Sequence, residues 1–251
     1  MIPKIIHYIW LGDKPLPKIA EKCIKSWKKY CPDYEIKRWD ESNLNLDCCE
    51  YAKQAFNEKK YAFVSDAVRF DILFNYGGIY LDIDVELYAS LDKFLEDTAV
   101  LAFENEDAIA PGLILASEKG NKYIGELLDL YKKDSFILEN GSQNLETVCT
   151  KVTNYLFERG LVLNNQNQKV LDFSIYSSDY FCPKSLSDGK IRKTQNTVAV
   201  HHYYGSWKTK SSKFKSRVLQ FIKRIIGQKT INKLKAKRKK RNEGSASSSK
   251  Q

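Results

Sequence analysis

Apolar positions along this chain follow two periods that take turns. Residues 4–10, KIIHYIW, form a strand-like apolar run, and residues 34–39, YEIKRW, alternate; both read as strands. Between them, residues 18–32 place Ile19, Cys23, Ile24 and Trp27 at helical spacing, and Pro32 closes the segment. Residues 62–78 predict a second helix with Val64, Ala67, Val68, Leu73 and Phe74 inward and Gly77-Gly78 as its stop. A strand, IYLDIDV, follows at 79–85. Residues 99–105 and 111–117 give two further short strands, 121–133 and 143–159 two further helices, and 196–207 a last strand running into an aromatic turn. Strands alternating with helices predict an α/β domain built on a largely parallel sheet.

Charge divides the chain in two. The net charge is +10, but of 41 Lys and Arg, fifteen fall between Lys208 and Arg241, where there is no Asp or Glu. One more base and one acid stand in the last ten residues. Residues 1–207 therefore hold 25 bases against 30 acids, a net of −5. Phe214, Val218, Phe221, Ile222 and Ile225 lie on one helical stripe flanked by Lys and Arg. We thus expect a domain over 1–210, a basic amphipathic helical tail over 211–241, and a disordered end at 242–251. The tail suits an anionic membrane surface. Nucleic acid fits less well, because no aromatic platform accompanies the charge. No run approaches the ~20 apolar residues of a membrane span, and the first ten residues have no charged leader or long apolar stretch. The expected location is cytoplasmic, at the inner face of the plasma membrane. Six cysteines without a Cys-x-x-Cys pair are expected to be free thiols.

Asp82 and Asp84 interrupt an apolar strand on one face only. Neighbouring carboxylates repel, and a hard divalent cation relieves the repulsion. Two solvated acids at a sheet edge would look the same. Asp66 and Arg69 share a helix face, as a surface ion pair or as a clamp on hydroxyls or phosphates. Trp10 ends the first strand, as a core residue or a stacking platform. His201 and His202 stand together at the end of the last strand, where neighbours face opposite sides, so one of them can enter a given site.

Taken in order, IPKIIHYIWLG, SDAVRFDILFNYGGIYLDIDVE and VHHYYGSW resemble the glycosyltransferase family with a DxD-containing sugar-binding region, which includes bacterial capsular polysaccharide and Golgi mannosyltransferases and is distantly similar to large glucosylating toxins. The resemblance covers roughly residues 2–207. It implies a GT-A-type nucleotide-sugar-binding fold, a sugar-nucleotide donor, a saccharide or lipid-linked saccharide acceptor, Mn²⁺ or Mg²⁺ as cofactor, and retention at the anomeric carbon. It implies that Asp84 and Asp82 hold the metal with His202, which opens a His-x-x-Gly turn. It further implies that Asp66, Arg69 and Asp82 hold the donor sugar, that Trp10 stacks on the base, and that Ser206 and Trp207 contact the diphosphate. Asp82, Asp84 and Arg69 are then the catalytic set, and Glu104 is a candidate acceptor contact. A UDP-hexose and a capsular or surface polysaccharide are the expected donor and product. The rival readings are a non-enzymatic membrane-surface or nucleic-acid binding protein acting through the tail, and a DxD phosphohydrolase.

Overall fold

The computed structural model describes residues 1–184 and 189–205. The expected boundary at 210, the helical tail, the terminal segment, Ser206 and Trp207 lie outside the described residues. Contacts divide the chain into two units, Met1–Pro183 with Arg192–Trp207, and Lys184–Ile191 with Lys208–Gln251. In the second unit, Lys184 and Ile191 form an isolated antiparallel bridge.

In the first unit the strands are β1 (Ile5–Ile9), β2 (Glu35–Trp39), β3 (Gly78–Tyr80), β4 (Val85–Leu87), β5 (Ala99–Asn105), β6 (Ala108–Ile109), β7 (Leu115–Ser117), β8 (Gln168–Val170), β9 (Phe173–Tyr176) and β10 (Ala199–His201). The helices are α1 (Lys18–Tyr30), α2 (Glu50–Asn57), α3 (Tyr61–Tyr76), α4 (Lys122–Lys132), α5 (Val148–Phe157) and α6 (Ser178–Phe181). The main sheet runs β2-β1-β3-β7-β5-β9-β8, with β6 paired to β5. Strands β2, β1, β3, β5 and β9 share one direction; β7 and β8 oppose them. The sheet is thus mostly parallel, as expected, with one reversed strand inside it.

Both faces are covered, because the strands are apolar on both sides. Along β5, Ala99, Leu101 and Phe103 enter a core shared with α2, α3, α4 and α5. Val100 and Ala102 enter a second core with Ala20, Cys23 and Trp27 of α1 and Phe181 of α6. The inward set expected for α3 is buried except Phe74, which is 37% exposed. Its ring lies across Gly125 of α4, where an added Cβ would come within 3.0 Å of it. The six cysteines form no disulfide. Among the described residues no helix is long and apolar enough to cross a membrane.

Two departures from the sequence reading shape the site. The expected strand over 79–85 is broken. β3 belongs to the main sheet, whereas β4 pairs antiparallel with β10 in a separate two-stranded sheet. Residues 81–84 form the passage between them, closed by a turn in which Val85 N–H donates to Asp82 O at 3.0 Å. The second departure is Gly77-Gly78, which does more than end α3. At Gly78 φ is +98°, and a Cβ there would sit 2.8 Å from His7 Nε2 and Ile5 O. The glycine lets His7 reach Gly77 O at 2.8 Å, while His7 Nδ1 accepts from Trp39 Nε1 at 3.1 Å. Accepting at Nδ1 puts the ring proton on Nε2, so the buried imidazole is neutral.

Burial lowers the His7 pKa to about 4, against a backbone hydrogen bond that raises it. Between about 6.5 and 4 the unfolded chain therefore binds a proton that the folded chain refuses. Stability conferred by neutral His7 is fully present above pH 6.5 and is lost as pH falls, to about 3 kcal/mol in all. Denaturant unfolding at pH 7, 6 and 5 should show this decline, and His7→Gln should flatten it.

Candidate active site

The candidate residues gather at the carboxyl ends of β1 and β3, where ligands bind in open α/β sheets. Helix α3 brings Asp66 and Arg69 to that edge. Arg69 is buried. Its Nη2 donates to Asp66 Oδ1 at 2.6 Å, its Nε to Ser65 O at 2.9 Å, and its guanidinium lies 4.5 Å from the Tyr80 ring centroid. Arg69 Nη1 faces Asp82 Oδ1 at 3.7 Å and has no hydrogen-bond partner among the described residues. This excludes a surface ion pair: the guanidinium joins two carboxylates from inside the protein. Burial opposes its charge, and Tyr80, Asp66 and Asp82 outweigh that opposition. Asp66 is pushed up to about 6 by burial and by neighbouring Asp82, against the pull of Arg69.

Asp82 and Asp84 occupy the passage between the two sheets, not the strand expected for them. Asp82 accepts from Tyr80 OH at 3.0 Å, and its N–H donates to Gly112 O at 2.9 Å. A Cβ on Gly112 would overlap the Asp82 carboxylate, so this glycine opens the space that Asp82 fills. Asp84 is buried. It accepts from Tyr204 N–H at 2.6 Å and contacts His201 Nε2 at 3.1 Å. Burial would raise its pKa, but His201 and the Tyr204 N–H hold it below the usual carboxylate range. His201 moves the opposite way: burial lowers it, while Asp84, Asp82 and Glu104 together raise it. His201 Nδ1 is buried without a hydrogen-bond partner among the described residues.

Asp82, Asp84 and His201 each offer an atom within 4.8 Å of the others. His202, the ligand implied by the resemblance, is not in this group. Its Nε2 lies 2.8 Å from Glu86 Oε2, which also accepts from Lys22 Nζ at 2.7 Å and Tyr88 OH at 2.9 Å. The pairing of β10 with β4 makes the exchange: His201 stands opposite Val85, and its neighbour turns to the other side. Glu86 thereby fastens β10 and α1 together behind the site.

The remaining candidates fall around this centre. Trp10 is half-buried beyond β1, and its Nε1 donates to Lys14 O at 2.7 Å, so its indole is fixed to the following loop. Glu104 hydrogen-bonds Tyr203, whose hydroxyl is also 2.8 Å from Cys182 Sγ. Sequence reasoning missed Tyr80, Gly112, Glu86 and the Tyr204 N–H. Tyr80 carried a signal, since it stands two residues before Asp82. Gly112 carried none, because its role is set by a contact between distant segments.

Residues 17–101 match the model of the glycosyltransferase sugar-binding region containing a DXD motif. The chain is 27% identical over 216 residues to an uncharacterized glycosyltransferase, L373, of Acanthamoeba polyphaga mimivirus, across 82% of this chain and 84% of that one. It is 32% identical over 130 residues to inositol phosphoceramide mannosyltransferase 3 of Schizosaccharomyces pombe, covering 49% of this chain and 35% of the relative. Among solved structures the PaToxG glycosyltransferase aligns with a TM-score of 0.51 at 23% identity, over 62% of this chain and 69% of that one; this likeness speaks to the fold. Both relatives are named as glycosyltransferases or mannosyltransferases. In the DXD region the two motif aspartates are Asp82 and Asp84, and the matched segment also contains Asp66 and Arg69.

Arg69→Met would leave Asp66 and Asp82 facing each other without the charge between them. Removing one member of a buried ion pair costs about 3–5 kcal/mol, and a loss of that order is expected in denaturant unfolding at pH 7. Unchanged stability would show that the two carboxylates do not depend on Arg69.

Proposed function

We propose that this chain is a retaining, divalent-metal-dependent glycosyltransferase. It moves a hexose from a sugar nucleotide, most simply UDP-galactose or UDP-glucose, to a lipid-linked saccharide in the synthesis of a capsular or surface polysaccharide. The observation that carries the reading is the convergence of Asp82, Asp84 and His201, with donor atoms within 4.8 Å, at the end of the strand that precedes them. Two carboxylates and one imidazole suit Mn²⁺ or Mg²⁺, which keep further positions for water and phosphate oxygens. Asp82, Asp84 and His201 would hold the ion. When bound, it supplies positive charge to the diphosphate oxygens as they gain negative charge.

The chain's own residues account for the rest. Asp66 and Arg69 bind hydroxyls of the donor sugar. Asp66, with its raised pKa, accepts from a hydroxyl or donates to one, depending on its proton. Arg69 and Tyr80 hold Asp82 in place, so that one carboxylate oxygen is committed to Tyr80 OH. Trp10 offers its face to the base, and Ser206 and Trp207 close on the diphosphate. No side chain stands as a covalent nucleophile in this scheme. The acceptor hydroxyl attacks from the face that the diphosphate leaves, and its proton passes to the departing phosphate oxygen. Glu104 lies on the acceptor side. The basic segment 211–241 holds the enzyme on the anionic inner face of the plasma membrane.

Release of nucleoside diphosphate from a panel of UDP- and GDP-sugars tests the reading. Release from one donor should require Mn²⁺ or Mg²⁺, vanish with chelator, and fall by a factor of about a hundred or more in Asp84→Asn, as when a preorganised charge is removed from an active site. Gly112→Ala should lower turnover while the far-ultraviolet circular dichroism stays native. No turnover and no metal-dependent nucleotide binding across the panel would overturn it. Sedimentation with anionic vesicles tests the tail: the full chain should bind, a chain ending at residue 210 should not, and high salt should release the bound protein.

A further inference from the structure

Cys48 and Cys49 take no part in the site described above. They lie where a short 3₁₀ turn, Leu46–Cys48, gives way to α2, for which Cys49 is the N-cap. Their Sγ atoms are 3.8 Å apart, Cys48 donating to Cys49. Cys49 is buried and Cys48 half-buried.

We infer that Cys48 and Cys49 form a bidentate dithiolate site for one soft divalent cation, Zn²⁺ or its analogue Cd²⁺. The geometry carries the inference. Two thiolates bound tetrahedrally at about 2.3 Å from Zn²⁺ lie about 3.8 Å apart, so the observed separation is the bite of one bridging ion. A disulfide suits the pair less. Adjacent residues hold their Cα atoms about 3.8 Å apart, below the usual 4.4–6.8 Å of disulfide partners. Capture of an ion needs little movement, whereas an S–S bond needs closure and strain.

The surroundings favour a cation. Cys49 Sγ accepts from Cys48 and from the Ala52 N–H in the first turn of α2, and the Cys48 hydrogen bond is the larger cause of its lowered pKa. Its neighbour is pushed up by that same hydrogen bond and by burial. The hydrogen bond thus eases ionisation of Cys49 and opposes that of Cys48. Binding M²⁺ forms two metal–sulfur bonds, releases the two thiol protons to solvent, and leaves water in the other positions. The Asp71 carboxylate adds negative potential at both sulfurs and is itself held by Asn75 Nδ2 at 3.1 Å. Lys132 opposes it at Cys49. Soft sulfur here and hard oxygen at Asp82 and Asp84 would sort cations between the two places.

Titration of the reduced full-length chain with Cd²⁺, in excess Mg²⁺, tests this by the ultraviolet thiolate-to-metal charge-transfer band. A band saturating at one equivalent is expected, retained in Asp84→Asn and lost in both Cys48→Ser and Cys49→Ser. Bound Cd²⁺ should also shield Cys48 and Cys49 from iodoacetamide in peptide mass spectrometry of the unmutated chain, which needs no variant to fold. No band, a band that persists in the Cys48→Ser/Cys49→Ser double variant, or undiminished alkylation of both residues would overturn the inference.

Discussion

Much of the site depends on what Asp84 does to the chain around it. Its main-chain oxygen accepts from His202 N–H at 3.0 Å, and its side chain accepts from Tyr204 N–H and contacts His201. One residue in a passage between two sheets thus fastens the end of β10. Its carboxylate is both a candidate ligand and the reason that His201 is near. The cost of burying it is offset by these donors, which is how an acid can stay ionised in a nearly closed place.

Charge is arranged in two linked clusters. Arg69 occupies the interior between Asp66 and Asp82, and His201 with Tyr204 N–H occupies the far side of Asp84. Asp82 belongs to both. One of its oxygens is taken by Tyr80 and faces Arg69, and Gly112 gives the carboxylate room. Asp66 and Asp82 are thereby held close to each other, an arrangement that Arg69 stabilises.

Much of this could be read in the sequence. Local periodicity is sufficient to place β1, α1, β2 and α3, and most of the inward positions it names in α3 are buried. The aspartates were visible because charge within an apolar run is conspicuous. What could not be read was decided by pairing between distant segments. The strand over 79–85 breaks because its second half finds β10, a partner more than a hundred residues away. The same register puts His201 in the site and His202 on Glu86, where adjacency in sequence cannot separate them. The reversal of β7 inside the sheet and the fit of Gly112 against Asp82 are likewise set by neighbours that no local pattern names.

The pairing of β4 with β10 also orders events in time. Every strand of the main sheet lies before residue 177, so the sheet can pair while a growing chain is still short of β10. The grouping of Asp82, Asp84 and His201 cannot. It is completed by a contact spanning 117 residues between Asp84 and His201, among the slowest kinds to form. The three candidate side chains therefore come together only once β10 is in place.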